Sequence, residues 1–422
     1  MGYKANISSN LINQVIRIAV GALTGIIVAR VLGPAGLGYV TYAVLIFTLI
    51  GDFGHFGLNN AVMYFKKRSS YNPDHIFNVN VTFLGLLFMA ISAVVLIIRS
   101  AGLALTGYNY LYILGGLVFV ASDLLFTNFH SWYIGDERIV ESNRSIRTVF
   151  LIKSAAILIL WASGMLTPGS FFVVTALAML LNAILLKINL KQGFSPQIDL
   201  KLLKAEYGFG GIVWLGAIFA FLHYRVDQLM IKQMLGISDL GVYSVSVSLA
   251  ELMFLVPVSI NTALLGKLYN TGEKIATRRV MSQTLKLSLY VCSGLALIGI
   301  PLSLLIPFVY GEAYSGAVIC TMILLVGVIF ASLAKVSAPY FFTIGKPVFH
   351  LVITFITLLL NAALNYLLIP VHGIVGAAIA SSISYLAYGV FYLLLLMLRE
   401  EFTPRDLFHL RFEDIRLLWK KS

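Results

Sequence analysis

Residues 81–98 read VTFLGLLFMAISAVVLII, a run of eighteen residues without a charged side chain. An α-helix of about 20 apolar residues is long enough to cross the roughly 30 Å hydrocarbon core of a bilayer. Comparable apolar runs recur along the whole chain. They do not alternate as the strands of a transmembrane barrel do, and a helix satisfies its own backbone hydrogen bonds in lipid. The sequence therefore predicts an all-α integral membrane protein.

The composition agrees with this class. Hydrophobic residues make up 59% of the 422 residues and charged residues only 11%, with a mean hydropathy of +0.91. An ordinary soluble domain has about 25% charged residues. No P-loop, HExxH motif, nucleophile elbow or clustered Cys/His set is present, so the sequence predicts no enzyme, no cofactor and no metal site.

The apolar runs predict about twelve transmembrane helices. We expect them at 10–31, 38–64, 76–98, 110–132, 147–166, 169–189, 208–235, 240–266, 285–309, 315–343, 348–369 and 374–398. Residues 32–43, LGPAGLGYVTYA, resemble residues 235–246, LGISDLGVYSVS, at an offset of 203. Both stretches join the first two helices of a six-helix half. The repeat predicts two pseudo-symmetric six-helix lobes with a central cleft, which is an architecture of transporters.

The lysines and arginines predict the orientation in the membrane. If the N-terminus is cytoplasmic, 23 of the 30 fall in cytoplasmic segments and three at the outer edge. The net charge of +12 is therefore a topology signal and does not indicate nucleic acid as a partner. We expect a multi-pass protein of the cell (cytoplasmic or inner) membrane with both termini in the cytoplasm.

The predicted domains are an N-terminal lobe at 1–200, a C-terminal lobe at 201–399 and a cytoplasmic tail at 400–422. In the tail, Phe408, Phe412, Ile415 and Trp419 recur at helical spacing. This pattern predicts an amphipathic helix on the membrane surface, and a partner-binding helix is the alternative.

Polar residues form stripes on several of the predicted helices. Because lipid cannot hydrate them, such stripes face protein or a wet cavity, and Ser, Thr and Asn also simply hold helices together. The stripes contain Asn6, Asn10, Asn13, Arg17 and Thr24; Thr41, Thr48, Asp52, His55 and Asn59; Asp123, Thr127 and His130; Ser244, Ser248 and Glu251; and Thr354, Thr357, Asn361 and Asn365.

Four cations lie within the predicted helices, namely Arg17, Lys153, Arg225 and Lys335. A charge near the bilayer centre costs at least about 2.5–3.5 kcal/mol, so such residues usually serve a function. Together they would give the cleft a positive lining. A guanidinium group offers paired donors to oxyanions, so this lining suits an anionic ligand, above all phosphate.

Four acidic residues are candidates for proton or sodium coupling: Asp52, Asp123, Asp227 and Glu251. Structural ion pairs with the embedded cations are the alternative for these carboxylates. Asp227 lies two residues from Arg225 and shares a helix face with His223, so it is expected to point away from that arginine.

Three stretches resemble the polysaccharide transporter family, the Wzx-type flippases of the multidrug/oligosaccharidyl-lipid/polysaccharide (MOP) superfamily. They are ARVLGPAGLGYVTYA at 29–43, RVDQLMIKQMLG at 225–236 and IPVHGIVGAAIASSISY at 369–385. The resemblance extends along the whole chain, and length and helix number agree with it.

The resemblance implies a flippase that moves an isoprenoid-diphosphate-linked oligosaccharide from the inner to the outer leaflet. The glycan would then enter O-antigen or another surface polysaccharide. The diphosphate would meet Arg17, Arg225, Lys153 or Lys335, and the sugars would meet cavity-lining residues such as Asn10, Asn13, Asn59, Asn361 and Asn365. Its other implied partners are membrane lipids, a proton or sodium ion, and polysaccharide polymerase or assembly proteins.

Three other functions stay open from the sequence. A lipid II flippase usually has fourteen helices, more than this chain has room for. A multidrug exporter of cations would favour an acidic cleft, which the embedded cations oppose. A non-transporting subunit of a polysaccharide-assembly complex would not need several embedded charges.

Overall fold

The computed structural model describes residues 3–68, 71–136, 138–255, 257, 274–344 and 346–409. Within these ranges every regular element is helical. The α-helices are α1 Tyr3–Gly54, α2 Leu58–Arg68, α3 Pro73–Ser100, α4 Tyr110–Gly135, α5 Ile139–Ala162, α6 Pro168–Leu190, α7 Leu200–Met234, α8 Ile237–Glu251, α9 Lys274–Leu302, α10 Ile306–Tyr310, α11 Ala317–Thr343, α12 Pro347–Arg399 and α13 Pro404–Phe408. Short 3-10 turns occupy Leu252–Phe254, Ser303–Leu305 and Glu312–Tyr314.

Local sequence fixes several of the helix starts. Asn72 caps α3 by accepting a hydrogen bond from the Asp74 amide, and Thr167 forms a capping box with Ser170 at the start of α6. In both helices proline follows the cap, where its missing N–H costs no helical hydrogen bond. The chain therefore begins these helices at the polar edge of each apolar run.

The prediction of an all-α membrane protein is confirmed. In the described part of the chain, nine helices are long and apolar enough to span a membrane, and a tenth is α7, whose parts Leu200–Gly208 and Gly210–Met234 meet at 52°. The helices α1 and α12 have 52 and 53 residues, about twice the length that a bilayer needs. Each contains one non-helical glycine, Gly33 and Gly373, and dividing both helices there gives twelve spans.

The second predicted span, 38–64, is not continuous, and in this respect the prediction is wrong. The helix stops at Gly54 and resumes at Leu58, because Phe56 and Gly57 both have positive φ, at 47° and 85°. The Nδ1 atom of His55 accepts a hydrogen bond from the Gly57 amide across the turn. A Cβ on Gly57 would lie 2.6 Å from the Gly210 carbonyl oxygen, so this turn packs backbone against backbone.

Contacts divide the chain into two compact units, Met1–Ile218 and Phe219–Ser422. The division falls inside α7, after the boundary expected at residue 200. The reason lies in the first turns of α7, whose buried residues Leu202 and Leu203 belong to the core of the first unit. The buried Glu206 also accepts a hydrogen bond from Asn80 of α3 at 3.1 Å.

In the first unit, the segment between α6 and α7 runs along α3. We call residues 191–199 the linker segment. Its backbone amides at Ser195 and Gln197 donate to the side chains of Asn78 and Thr82 at 2.9 and 3.1 Å. These two acceptors lie one helical turn apart on one face of α3. The linker segment is thus held in place by evenly spaced side chains.

In the second unit, the segment that follows the last long helix runs along α9 in the same way. We call residues 400–409 the C-terminal segment. Its carbonyl groups at Asp406, His409 and Phe408 accept hydrogen bonds from side chains spaced four residues apart on α9. The donors are Ser282 at 2.5 Å, Lys286 at 3.1 Å and Tyr290 at 2.8 Å.

The two segments extend the repeat found in the sequence. Asn78 and Ser282 are 204 residues apart, as are the helix caps Asp199 and Thr403 within the two segments. Gly33 and Gly236, the turn glycines of the repeated motif, both have positive φ, at 64° and 128°. The corresponding helix of each unit therefore carries a similar segment, although little sequence similarity remains there.

The C-terminal segment begins with buried apolar residues. Phe402 and Leu407 belong to the core of the second unit, whereas Phe408 is 44% exposed. Burial opposes ionisation of Asp406, but hydrogen bonds from Thr403 and Arg278 outweigh it and hold the pKa of this carboxyl below its usual value. The predicted stripe residues Phe412, Ile415 and Trp419 lie outside the described residues.

Burial distinguishes the inner helices from those that face lipid. Among the described spans, 61% of the most apolar stretch of α11 is buried, whereas only 11% of that of α3 is buried, and α3 exposes Met89 and Ile97. Apolar side chains exposed in this way face lipid in a membrane protein. An ionisable residue on α11, such as Lys335, is therefore placed inside the protein.

Candidate functional site

The candidate site of the second unit lies where α7, α8 and α11 meet. Arg225 comes from α7, Glu251 ends α8 and Lys335 comes from the interior helix α11. Tyr224 and Phe254 complete it with aromatic rings. We call these five residues the Arg225 site.

Arg225 and Glu251 form a two-pronged ion pair. The Nη1 and Nη2 atoms of Arg225 donate to Oε1 and Oε2 of Glu251 at 2.8 and 3.0 Å. Both residues lie within the helical spans. Their side chains are 26% and 29% exposed, so a ligand can still reach the pair. Paired donation of this kind is the geometry in which a guanidinium binds carboxylate or phosphate. Glu251 thus has the ion pair that the sequence left open as an alternative to coupling.

Lys335 adds a second cation beside this pair. Its Nζ atom lies 4.4 Å from the centre of the Tyr224 ring and 4.3 Å from that of Phe254. Aromatic faces stabilise a cation without neutralising it. The charges of Arg225, Glu251 and Lys335 therefore sum to one positive charge in the Arg225 site.

Asp227 occupies a different environment from Glu251. Its Oδ2 accepts hydrogen bonds from Tyr243 at 2.7 Å and Ser381 at 2.8 Å, and its Oδ1 accepts one from the Gln228 amide at 2.7 Å. The residue is only 1% exposed. These donors connect α7 to α8 and α12, so Asp227 is held by hydroxyl and amide groups at a point where three helices meet.

The asparagines of α12 take part in helix packing. Asn361 donates through Nδ2 to the carbonyl of His223 on α7 at 2.8 Å, and Asn365 donates to Oδ1 of Asn361 at 2.6 Å. Both residues are completely buried. In this structure Asn361 thus holds α12 against α7, and Asn365 fixes the position of the Asn361 amide.

The first unit contains two acidic residues that lie close together. Asp52 on α1 is partly buried and Asp123 on α4 is 9% exposed, and their charges are near enough to interact. The Oδ2 atom of Asp123 has no hydrogen-bond partner among the residues that the structure describes. A methyl group at Gly51 would overlap this carboxylate, so the acid packs directly against the backbone of α1.

The remaining predicted residues are distributed through the first unit. Lys153 on α5 lies with its Nζ 5.5 Å from the centre of the Phe171 ring, and Asn59 on α2 is partly buried. The side chains of Asn10, Asn13 and Arg17 lie outside those that the structure describes. Of the predicted cations, Arg225 and Lys335 are thus the two that the described structure brings together.

Reasoning from charge missed a cluster of rings beside the Arg225 site. Tyr224 contacts the rings of Tyr385 and Tyr388 at 5.3 and 6.3 Å between ring centres, and His223 contacts the same two rings. The hydroxyl of Tyr224 is buried and has no hydrogen-bond partner in the described part of the chain. The spacing of Tyr385, Tyr388 and Tyr392 on one helix face is the sequence signal for this cluster.

Comparison with protein families assigns the chain to one of them. Residues 27–319 match the model of a family described as "Polysaccharide biosynthesis protein". The chain belongs to this family. The match covers more than half of the sequence and includes α7 and α8 completely, which carry Arg225 and Glu251.

A curated relative and solved structures agree with this assignment. The relative, from Shigella flexneri, is named "Putative O-antigen transporter" and is 25% identical over 380 residues, which cover 84% of this chain and 88% of that protein. A multidrug resistance MATE family transporter of the MOP superfamily has a TM-score of 0.69 at 13% identity, over 94% of this chain and 98% of its own. The lipid II flippase MurJ has a TM-score of 0.68 at 13% identity, over 97% of this chain and 90% of its own.

These comparisons confirm the resemblance to the polysaccharide transporter family and the MOP superfamily fold. The family match makes the chain a polysaccharide biosynthesis protein, and the solved structures show that it has the fold of known membrane transporters.

Proposed function

We propose that this polysaccharide biosynthesis protein is a flippase for isoprenoid-diphosphate-linked oligosaccharides. It moves the repeat unit from the cytoplasmic to the outer leaflet by alternating access between two six-helix lobes, with both termini in the cytoplasm. The family and the name of the Shigella flexneri relative support a polysaccharide substrate. The observation that carries the proposal is the Arg225 site, where two cations lie within the spans of one unit.

The diphosphate is the part of the substrate that cannot enter lipid unaided. Moving a bare anion into hydrocarbon is very costly, so a flippase must offset the lost hydration with protein groups. A guanidinium supplies paired donors to phosphate oxygens, and an ammonium adds a compact charge. Arg225 and Lys335 are therefore assigned to the diphosphate in the second unit. Arg17 and Lys153 are assigned to it from the first.

The sugars and the driving ion have separate roles. Asn10, Asn13 and Asn59 are proposed to line the sugar path. Asn361 and Asn365 would join that path only when α12 and α7 move apart. Asp52 and Asp123 are proposed as the proton or sodium coupling pair of the first unit, because a buried carboxylate with a free oxygen is suited to take up a cation.

The first experiment is deletion of the gene in the producing cell, followed by extraction of lipid-linked oligosaccharides. We expect loss of a surface polysaccharide and accumulation of its isoprenoid-diphosphate repeat unit in the cytoplasmic leaflet. Intact surface glycan together with altered drug sensitivity would instead support a multidrug exporter. Intact glycan with no change in drug sensitivity would also contradict a flippase.

Complementation of the deletion tests the site itself. Arg225→Ala should fail to restore the polysaccharide, and Arg225→Lys should restore it partly, because lysine keeps the charge but loses paired donation. Arg144→Ala is the matched control, since this arginine is exposed at the start of α5. All variants are compared at equal amounts of inserted protein. Full complementation by Arg225→Ala would remove Arg225 from the substrate site.

The coupling assignment is tested separately in membrane vesicles. Collapse of the proton or sodium gradient should stop translocation of the lipid-linked oligosaccharide. Translocation at the full rate without either gradient would exclude Asp52 and Asp123 from ion coupling and leave the flippase proposal intact.

A further inference from the structure

Glu251 occupies the position on Arg225 where a substrate oxyanion would bind. Its two carboxylate oxygens accept from the two terminal nitrogens of the guanidinium at 2.8 and 3.0 Å. These donors are the ones that a phosphate group would use. A ligand with a phosphate therefore cannot bind Arg225 in two-pronged fashion while Glu251 is in place.

We propose that Glu251 is a displaceable counter-ion of the Arg225 site. A phosphate group of the substrate takes its place on Arg225, and the released carboxylate takes up one proton from the solution. This inference rests on the proposed function, and it adds that substrate binding and protonation of Glu251 occur together. The only covalent change is the transfer of one proton: the bond to hydrogen in a hydronium ion or buffer acid breaks, and one O–H bond forms on the carboxylate.

Accessibility distinguishes Glu251 from the other acid of this unit. The Arg225 and Glu251 side chains are 26% and 29% exposed, so a ligand can reach the pair. Asp227 is 1% exposed and is held by three donors from its own helix and two others. Displacing Asp227 would leave several buried donors unsatisfied, whereas displacing Glu251 frees the two donors of the Arg225 guanidinium, which the ligand itself satisfies.

The charged groups around Glu251 explain the proton uptake. Glu251 interacts with Arg225 and Tyr224 of α7, with Lys335 of α11 and with Tyr385 of α12. Asp227, also on α7, interacts with Arg225. Once a phosphate group occupies Arg225, the Glu251 carboxylate stands beside a second anion, and Lys335 is the other cation near it among the residues that the structure describes. Like charges at such distances disfavour ionisation of both groups, and a proton on Glu251 removes the repulsion.

Lys335 has a complementary role in this exchange. Its ammonium lies over the rings of Tyr224 and Phe254 and also interacts with the charge of Glu251. It therefore supplies positive charge to an approaching phosphate before the ion pair opens, and it remains after Glu251 has been neutralised.

The exchange is tested by isothermal titration calorimetry of the full-length protein in lipid nanodiscs, with farnesyl diphosphate as the probe. Titration in buffers of different ionisation enthalpy gives the number of protons bound with the ligand. We expect the wild type to take up about one proton more than Glu251→Gln, and its Kd to fall by up to about tenfold per unit decrease in pH. The titration of the probe itself is measured in the Glu251→Gln protein.

The Glu251→Gln variant should also bind farnesyl diphosphate about tenfold more tightly than the wild type at neutral pH, because no carboxylate competes for Arg225. Glu312→Gln, which removes an exposed carboxylate, should behave as the wild type. Equal proton uptake and equal Kd in the wild type and Glu251→Gln would overturn the exchange while leaving the diphosphate site in place. Absence of binding in every protein would overturn the diphosphate site of the proposed function and the exchange with it.

The wild-type measurement is sufficient if Glu251→Gln fails to fold. At a pH where the diphosphate is fully ionised, so that the probe carries no proton of its own, binding of farnesyl diphosphate by the wild type without proton uptake would by itself overturn the exchange.

Discussion

Replacement of Tyr243 by phenylalanine tests whether Asp227 has a structural role. The change removes one hydroxyl group, which donates to Oδ2 of Asp227 at 2.7 Å, and leaves the ring in place. Tyr243 and Asp227 are almost completely buried, so water cannot replace the lost donor. Asp227 keeps two donors, Ser381 and the Gln228 amide, and should therefore remain in position.

The expected size follows from the charge on the acceptor. Hydrogen bonds between membrane helices average about 0.6 kcal/mol, whereas those to a charged group contribute about 1.5–3 kcal/mol. An ionised Asp227 therefore predicts a loss of about 2 kcal/mol in the free energy of unfolding of the second unit. For a unit of about 200 residues, this loss lowers Tm by about 4–8 °C.

The assay is thermal unfolding of the purified protein in detergent, followed by size-exclusion chromatography. Tyr366→Phe on α12 is the control, because Tyr366 is 68% exposed. Ser381→Ala should destabilise by a similar amount, and the double variant should lose more than the sum of both, since either hydroxyl group alone still satisfies the acceptor oxygen that they share. A Tm for Tyr243→Phe equal to that of Tyr366→Phe would refute the structural role of this hydrogen bond.

Two further predictions concern the backbone turn and the C-terminal segment. Gly57→Ala should strongly reduce the yield of folded protein, because φ is 85° there and the added methyl group would lie 2.6 Å from a carbonyl oxygen. Gly85→Ala is the control, since there is open space around Gly85. Equal monodisperse peaks of the two variants in size-exclusion chromatography would contradict the packing. Because the pKa of Asp406 lies below its usual value, its stabilisation of the C-terminal segment is complete above the unfolded pKa of about 4 and is lost as the pH falls through the folded value. Asp406→Asn should reproduce this loss at neutral pH, measured as faster trypsin cleavage after Arg405, and unchanged cleavage would exclude the role.

The spans were predictable because length and apolar character decide them. An apolar run such as 81–98 can only form a spanning helix in a bilayer, and the structure places this run in α3 and the other runs in comparable long helices. The break at His55–Gly57 was not predictable in the same way. It depends on a close contact with Gly210, which is distant in sequence and carries no signal in composition or periodicity.

The Arg225 site was predictable in part. The position of Arg225, Lys335 and Glu251 within apolar runs singles them out, because charge in lipid is costly. Which of them pair depends on how α7, α8 and α11 are rotated about their axes, and periodicity alone does not fix this rotation. The surrounding tyrosines escaped notice because aromatic residues are common in membrane helices and are mostly part of the packing.

The segments packed on α3 and α9 affect the order in which the two units can fold during synthesis. All the contacts described for the first unit, including that of Trp214 with the Asp52 carbonyl, lie within its first 218 residues. This half can therefore reach its final structure while the second half is still on the ribosome. The second half, in contrast, needs residues 400–409 to complete its packing on α9, and these are made after α12 and all the helices before it. A truncation before residue 400 should thus leave a finished first half attached to an incomplete second half, which quality-control proteases would recognise.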